Sequence, residues 1–466
     1  MAIPVEDGSL LHGPTTAHSS PPTRVPSSYK PLSYICTLQS KTLPTAIWRY
    51  VLFTVNFSLK KPVEEIASAA WDGFQISGET VRKVERVLDV RQGELCWVAG
   101  TIYMNMPLKP NILEDISKDH WISAPPPRRK YLSGNGEDEI MLEDESGRLR
   151  LIGGQLNTEL LVTGCIVAVM GTENANGDFE VVDIKVPDLP PQEPRWEISG
   201  ENEEGDIDMD AEKAGRKKIA LISGLSFSGT SAENSLEKAL LTEYLLGESL
   251  DPTSQSNVSK ISRLIIAGNS IASDLDSIAH DTVGNTRKAQ KKYGYDASSY
   301  NPAPTAHFDN FLAELLPSIP ITLLPGPSDP ANASLPQQPI HPAMFPQARA
   351  YSGSAPSIIG DDREPGWFDT VTNPWEGEIE GWRFLGTGGQ NVDDVFKYVE
   401  GEDRLRMMEA MCRWRCCAPT APDTLWSYPF QDVDPFYNQN MPPHLLRRQS
   451  TFFRFSKYRW TRWPNR

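Results

Sequence analysis

The stretch Ile321–Ser352, ITLLPGPSDPANASLPQQPIHPAMFPQARAYS, constrains the fold more than any other part of the chain. Ile321, Thr322, Leu323 and Leu324 are apolar or β-branched and lie between Pro320 and Pro325, the pattern of a short buried strand. The chain then enters Gly326-Pro327-Ser328-Asp329 at once. In sheets built by alternating strands with helices, ligands collect where a loop leaves the carboxyl end of a strand. A strand that runs straight into a Gly-x-x-Asp turn is therefore the first place to look for chemistry.

The alternation that such a sheet needs is present around it. Ile219–Ile222 and Leu264–Ala267 read as strands. Between them, Thr230 to Glu233 forms a capping box, and Leu236, Leu240, Leu241 and Tyr244 line one helical face that Gly247 can end. Phe308, Phe311, Leu312, Leu315 and Leu316 recur at helical spacing just before Ile321. Trp382–Leu385 is a further strand, and residues 353–372 read as a surface insertion. Residues 217–441 are thus expected to form an α/β domain.

Residues 93–187 carry a different period. Leu95–Met104, Glu139–Leu142, Arg148–Ile152, Leu161–Met170 and Phe179–Val186 read as five short strands separated by turns such as Asn174-Ala175-Asn176-Gly177-Asp178. A five-stranded barrel of the oligonucleotide/oligosaccharide-binding (OB) type is the expectation. Such a barrel can bind single strands through a basic aromatic groove. Its acidic turns and the one local basic cluster, Arg128-Arg129-Lys130, favour a protein-binding surface instead.

The flanking segments are simpler. Residues 1–30 read as a disordered tail rich in Ser, Thr and Pro. In 31–92, Val63, Ile66, Ala67, Ala70 and Trp71 share a helical face, and Val81, Val84 and Leu88 read as its resumption. Lys41–Lys61 is aromatic without a period. Residues 188–216 form an acidic linker, solvated by its own charge. With 466 residues and a net charge of −16, the chain is repelled by phosphate backbones, so nucleic acid is not its direct partner. Trp48–Leu59 is too short and too polar to span a bilayer. Cys36, Cys96, Cys165, Cys412, Cys416 and Cys417 contain no CxxC pair, which fits a reducing interior. Cys412-Arg413-Trp414-Arg415-Cys416-Cys417 follows Met407, Met408 and Met411 and reads as helix packing, not a metal site.

The strand ends can be compared with binuclear metallophosphoesterases, which carry Asp-x-His, Gly-Asp and Gly-Asn-His-Asp at successive turns. Here Gly224 and Ser226 stand at the first pair of ligand positions, and Gly268-Asn269 at the second. Pro327 and Ser328 replace Asn and His at the third. Asp329 remains, but a lone Asp after a turn reads as a cap. A two-metal site needs several anionic or imidazole ligands together. None of the seven histidines (His12, His18, His120, His280, His307, His341, His444) follows a core strand. The sequence therefore resembles a calcineurin-like phosphoesterase with its metal ligands removed, and no cofactor is expected.

Further motifs carry a more specific resemblance. Leu335-Pro336-Gln337-Gln338-Pro339-Ile340-His341-Pro342 is followed by Met344-Phe345-Pro346, then Thr372-Asn373-Pro374. Phe384-Leu385-Gly386-Thr387-Gly388-Gly389-Gln390-Asn391 and Ala418-Pro419-Thr420-Ala421-Pro422-Asp423-Thr424-Leu425 come next. Upstream lie Met106-Pro107-Leu108-Lys109-Pro110 and Leu142-Glu143-Asp144-Glu145. Together these closely resemble the small (second, B) subunit family of DNA polymerase delta, of fungal type, over residues 28–441. The resemblance implies an α+β multidomain chain: an OB-type barrel packed on a two-layered, inactivated calcineurin-like domain. It implies a non-catalytic scaffold in DNA replication and repair synthesis, in the nucleus. The implied partners are the cysteine-rich C-terminal domain of the catalytic subunit and a third subunit, with DNA met only through the complex. The rival readings are an active metal-dependent phosphoesterase or nuclease, and a single-stranded-DNA-binding OB protein.

Residues 442–466 depart from that family, which continues with an apolar strand and Gly-Asn-x-Pro. This chain has a basic, aromatic tail, PPHLLRRQSTFFRFSKYRWTRWPNR. The codons able to encode Pro443 through Phe453, read one base later, permit His-Ile-Tyr-Phe-Val-Gly-Asn-Gln-Pro-Ser-Phe. The tail is therefore expected to be a frameshift or gene-model artefact in place of the domain's last strands. Taken as genuine, it leaves the sheet with an exposed edge.

Overall fold

The computed structural model describes residues 29–31, 59–76, 78–110, 128–134, 136–190, 218–229, 235–248, 250–272, 302–352, 367–379, 382–427, 436–437, 444–447 and 454–457. Most of the N-terminal tail, most of the aromatic stretch 41–61, most of the acidic linker and insertion, and the Thr230–Glu233 box lie outside them.

The first strand, β1 (Tyr29–Pro31), joins a sheet completed far downstream. Residues 59–71 are helical (α1). Val63, Ala67 and Trp71 are buried as the spacing predicts, while Ala70 faces solvent. The helix does not resume at Val81. The chain instead forms β2 (Gln75–Ile76), β3 (Glu79–Thr80) and β4 (Arg82–Val84). Val81 and Val84 are buried, but Leu88 is 71% exposed on a single 3-10 turn, Val87–Asp89. Their i, i+3, i+7 spacing imitates a helix, and pairing of β4 with the next strand outweighs it.

That next strand is β5 (Cys96–Asn105), followed by β6 (Glu139–Glu143), β7 (Arg148–Ile152), β8 (Ile166–Glu173) and β9 (Asp178–Lys185). The sheet order is β4-β5-β6-β7-β9-β8. β5 is long enough to serve two partners, Thr101–Asn105 against β6 and Cys96–Thr101 against β8. The hydrogen-bonded ladder from β5 through β6, β7, β9 and β8 thus returns to β5, with β4 paired alongside it. β8 starts at Ile166, not at Leu161. Gly164, at φ 91°, turns the chain beneath Pro419; its N–H and the Cys165 carbonyl still bond Ile102 of β5, but paired residues begin only at Ile166.

The second half opens with β10 (Lys218–Ile222), α2 (Ser235–Leu246), α3 (Pro252–Ser259) and β11 (Ile261–Ala267). It continues with α4 (Ala303–Leu315), β12 (Ile321–Leu324), β13 (Phe368–Thr370), β14 (Trp375–Ile379) and β15 (Trp382–Thr387). β10 to β13 form a parallel sheet in chain order. Leu264, Ile266, Ile321 and Leu323 on one face pack against Phe308, Phe311, Leu312 and Leu315 of α4. Ile265 and Leu324 on the other face meet Trp375, Ile379 and Phe384 of a second sheet. The layers run helix, sheet, sheet, helix, because α5 (Gln390–Tyr398) and α6 (Arg404–Arg413) lie beyond that second sheet. The two layers expected from the sequence are therefore doubled. β14, a clean alternation of buried and half-buried residues, was hidden next to the insertion.

The second sheet runs β1-β14-β15-β16-β17, with β16 (His444–Arg447) parallel to β15 and β17 (Arg454–Lys457) antiparallel to β16. Backbone from the basic tail thus covers the edge of β15 that was expected to be open.

One hydrophobic core joins the two halves. It holds Val98, Ile102, Leu142, Val167, Val169 and Phe179 together with Leu385, Val395, Tyr398, Met407, Met411 and Trp414. Cys412, Cys416 and Cys417 belong to this core, as their reading as packing residues expects. Burial pushes the Cys412 thiol up to about 12.

Candidate functional site

Three turns meet at the carboxyl ends of β10, β11 and β12. Two of them need a backbone that side chains resist: Gly224 (φ 72°), Ser226 (φ 47°), Gly268 (φ 74°) and Asn269 (φ 52°) are all left-handed. The third, at Gly326, approaches Gly268 and Asn269 so closely that a Cβ on Gly326 would lie 2.4 Å from Asn269 Oδ1 and 2.9 Å from Gly268 Cα. The turns are then laced by backbone. Gly224 N donates to Gly268 O at 3.1 Å, and Ser226 N donates to Asn269 O at 3.1 Å.

Asp329 closes this cage. Its Oδ1 accepts from Ser270 N at 2.8 Å and Ile271 N at 3.0 Å, and its Oδ2 accepts from Gly326 N at 2.8 Å. Burial pushes the carboxyl up to about 6, against the pull of the backbone donors around it. The Ser328 hydroxyl donates to Ile271 O at 2.7 Å, and Ser328 N donates to Asn269 Oδ1 at 3.4 Å. Pro327 faces solvent. The six strand-end residues singled out in the sequence are therefore brought together.

The signature loops form a second, adjoining cluster. The Leu335–Pro336 and Asn373–Pro374 peptides are cis, and Gln337 and Asn373 exchange backbone hydrogen bonds of 2.7 and 3.0 Å. Gln337 Oε1 accepts from Asn373 Nδ2 at 2.8 Å and from Gln390 Nε2 at 2.9 Å. Asn373 Oδ1 accepts from Gly388 N at 2.9 Å, and Gln337 Nε2 donates to Asn332 O at 2.9 Å. Three carboxamides thus lock one another at the start of α5, where Gly389 takes φ 98°. A Cβ on Gly386 would meet Leu324 Cδ2 at 2.9 Å, so the glycine lets β15 settle on β12. Gln338 N donates to Asn332 Oδ1 at 2.6 Å, and Pro339 is half-buried beside it. His341 Nδ1 accepts from Ala343 N at 3.1 Å, capping the turn that Pro342 begins. Asn391 points elsewhere, donating to Cys417 O at 2.6 Å.

A third cluster was not legible in the sequence. It sits where the β-rich half meets α5 and α6. Lys109 Nζ donates to Asp423 Oδ2 at 2.7 Å and to Met104 O at 3.0 Å, so two of the signature motifs touch there. Tyr398 OH donates to Asp423 Oδ2 at 3.1 Å, and Thr424 Oγ1 donates to Asp394 Oδ2 at 2.5 Å. Lys130 Nζ donates to the carbonyls of Phe396, Val399 and Gly401 at 2.8, 2.7 and 3.0 Å, capping the end of α5. Its ammonium stands 3.4 Å from the centroid of the Phe396 ring, and the Arg404 guanidinium carbon lies 3.6 Å from that centroid. Arg415 donates to the carbonyls of Asp188, Pro187 and Leu189 at 2.8, 3.0 and 3.3 Å. The basic cluster 128–130 that stood out by composition is thus partly spent inside the protein. Among the described residues, no group of three His, Cys, Asp or Glu side chains could hold a metal ion.

Residues 219–455 match the family model for the B subunit of DNA polymerases alpha and epsilon, and residues 57–184 match the DNA polymerase delta subunit OB-fold domain. The chain is 34% identical to the DNA polymerase delta small subunit of Saccharomyces cerevisiae over 434 residues, covering 87% of this chain and 80% of the yeast protein. It is 35% identical to the small subunit of Oryza sativa over 359 residues, 77% of this chain and 74% of the rice protein. It is 33% identical to DNA polymerase delta subunit 2 of Drosophila melanogaster over 347 residues, 74% of this chain and 70% of the fly protein. The chain belongs to the DNA polymerase delta small-subunit family.

Proposed function

We propose that this chain is a non-catalytic scaffold of DNA polymerase delta. In this reading it bridges the cysteine-rich C-terminal domain of the catalytic subunit and a third subunit, in the nucleus, and meets DNA only through the complex. The ladder that closes on β5 supports an OB-type barrel of five strands. The helix–sheet–sheet–helix order supports a calcineurin-like phosphoesterase fold for residues 217–441. The residues present do not fit that fold's two-metal centre. Gly224 and Pro327 offer no ligand atom, Ser328 spends its hydroxyl on Ile271 O, and both oxygens of Asp329 point at backbone amides.

The observation that carries the reading is this use of the strand ends. In a hydrolase they would hold metals; here they hold one another. Co-expression with the catalytic subunit's C-terminal domain and with the third subunit, followed by size exclusion, tests the scaffold. Stable stoichiometric complexes are expected. Manganese-dependent cleavage of single-stranded DNA by the purified chain, lost on Asp329→Ala, would overturn the non-catalytic reading.

A further inference from the structure

α2 is the least embedded helix of the α/β half. Leu245 is its one buried residue among those described, with Leu241 and Leu246 partly packed against the core of α4. Lys238 is turned toward the strand ends, its Nζ 4.4 Å from the centroid of the Phe227 ring. The opposite side carries Leu236, Leu240 and Tyr244, which are 66%, 53% and 50% exposed. Spaced at i, i+4 and i+8, they form one ridge about 12 Å long along the helix axis. A helical projection places Glu243 on one flank of the ridge and Glu237 on the other, with Glu248 just past its end. All three carboxylates are exposed.

A ridge of two leucines and a tyrosine is poor solvent-facing surface, and a helix needs only one apolar face to anchor it to its own core. The carboxylates on both flanks set the chemistry of what can cover it. In a chain of net charge −16, an acidic or neutral partner would gain nothing from that rim.

We propose that the Leu236–Leu240–Tyr244 ridge is a docking surface for an amphipathic helix of another polymerase subunit. That helix presents apolar side chains at three- and four-residue spacing, flanked by Lys or Arg. Ridge-into-groove packing of two helices suits a strip of this length and width. The inference rests on the scaffold reading and assigns it a surface.

The test uses the assembled three-subunit complex. Tyr244→p-benzoylphenylalanine is introduced, the complex is irradiated, and the cross-linked peptide is identified by mass spectrometry. A cross-link to a basic-flanked apolar segment of another subunit is the expected result. A cross-link confined to this chain, residues 273–301 for instance, or no cross-link in an intact complex, overturns the proposal. If no complex assembles even with the unaltered chain, the scaffold reading falls instead. A charge-reversed chain, Glu237→Lys with Glu243→Lys, keeps the fold because both side chains face solvent. It should bind the same subunit about tenfold more weakly at low salt, with the difference shrinking at high salt. Equal affinity at both salt concentrations also overturns the proposal.

Discussion

The strand-end cage and the seam between the two halves solve the same problem by opposite means. Both bury polar groups at a meeting of loops. In the cage, a single carboxylate is satisfied by backbone amides, and glycines hold the backbone in place. In the seam, lysines, arginines, tyrosines and aspartates satisfy one another and the carbonyls of helix ends. The cage therefore depends on conformation and tolerates little change of backbone. The seam depends largely on side-chain chemistry; main chain meets main chain where Tyr131 N donates to Lys397 O and where Gly164 lies against Pro419.

The Gly164 contact should give the largest effect. A Cβ on Gly164 would lie 1.8 Å from Pro419 O, at a φ of 91° that side chains resist. Gly164→Val should cost more than about 4 kcal/mol and leave little soluble protein. Recovery of normally melting protein would show that the seam can open without unfolding either half. In the cage, Gly326→Ala meets Asn269 Oδ1 at 2.4 Å and Asn269 N at 2.6 Å. A loss of about 2–4 kcal/mol in urea unfolding is expected, since the neighbouring turn must move.

Asp329 gives a sharper comparison through pH. Its carboxyl sits at about 6 in the folded protein, above the value of about 3.9 for an unfolded chain. Between those values the native state holds a proton that the unfolded state has released, so stability from this group falls as pH rises. The fall amounts to about 3 kcal/mol, complete above pH 6 or so. Asp329→Asn removes that slope while costing about 1–3 kcal/mol through a lost acceptor. The gap between the two proteins should thus narrow from pH 4 to pH 7; a gap that widens would mean the amide donors outweigh burial. The smallest effect belongs to one of the seam's ion pairs, Lys109–Asp423. Lys109→Met should cost about 1–3 kcal/mol, because Asp423 keeps Tyr398 as a donor and the apolar stem is preserved. A double-mutant cycle with Asp423→Asn measures how much of that belongs to the pair.

Periodicity made β12 and α4 legible, since both bury an uninterrupted strand or a full helical face. The same reasoning misplaced Val81–Leu88, where three apolar residues fit a helix by spacing alone. It also chose the wrong side of α2. That helix has two apolar faces. Leu241, Leu245 and Leu246 turn inward; of the predicted face only Leu241 does, and Leu236, Leu240 and Tyr244 do not. The strand-end residues were found because turn chemistry is local. The signature loops were visible as motifs, but the mutual locking of Gln337, Asn373 and Gln390 was not, because their pairing depends on which loops meet. The seam was least legible of all: Lys109 and Asp423 lie 314 residues apart.

The shared core has a consequence for how the protein is made. The OB-fold region, ending near Lys185, is completed by side chains of α5 and α6, which leave the ribosome about 200 residues later. At ordinary synthesis rates that is an interval on the order of 10–40 s. During it, the nascent chain carries a half-finished apolar face with no partner yet translated. Chaperone demand should therefore peak before residue 390 emerges and end once Trp414 has followed.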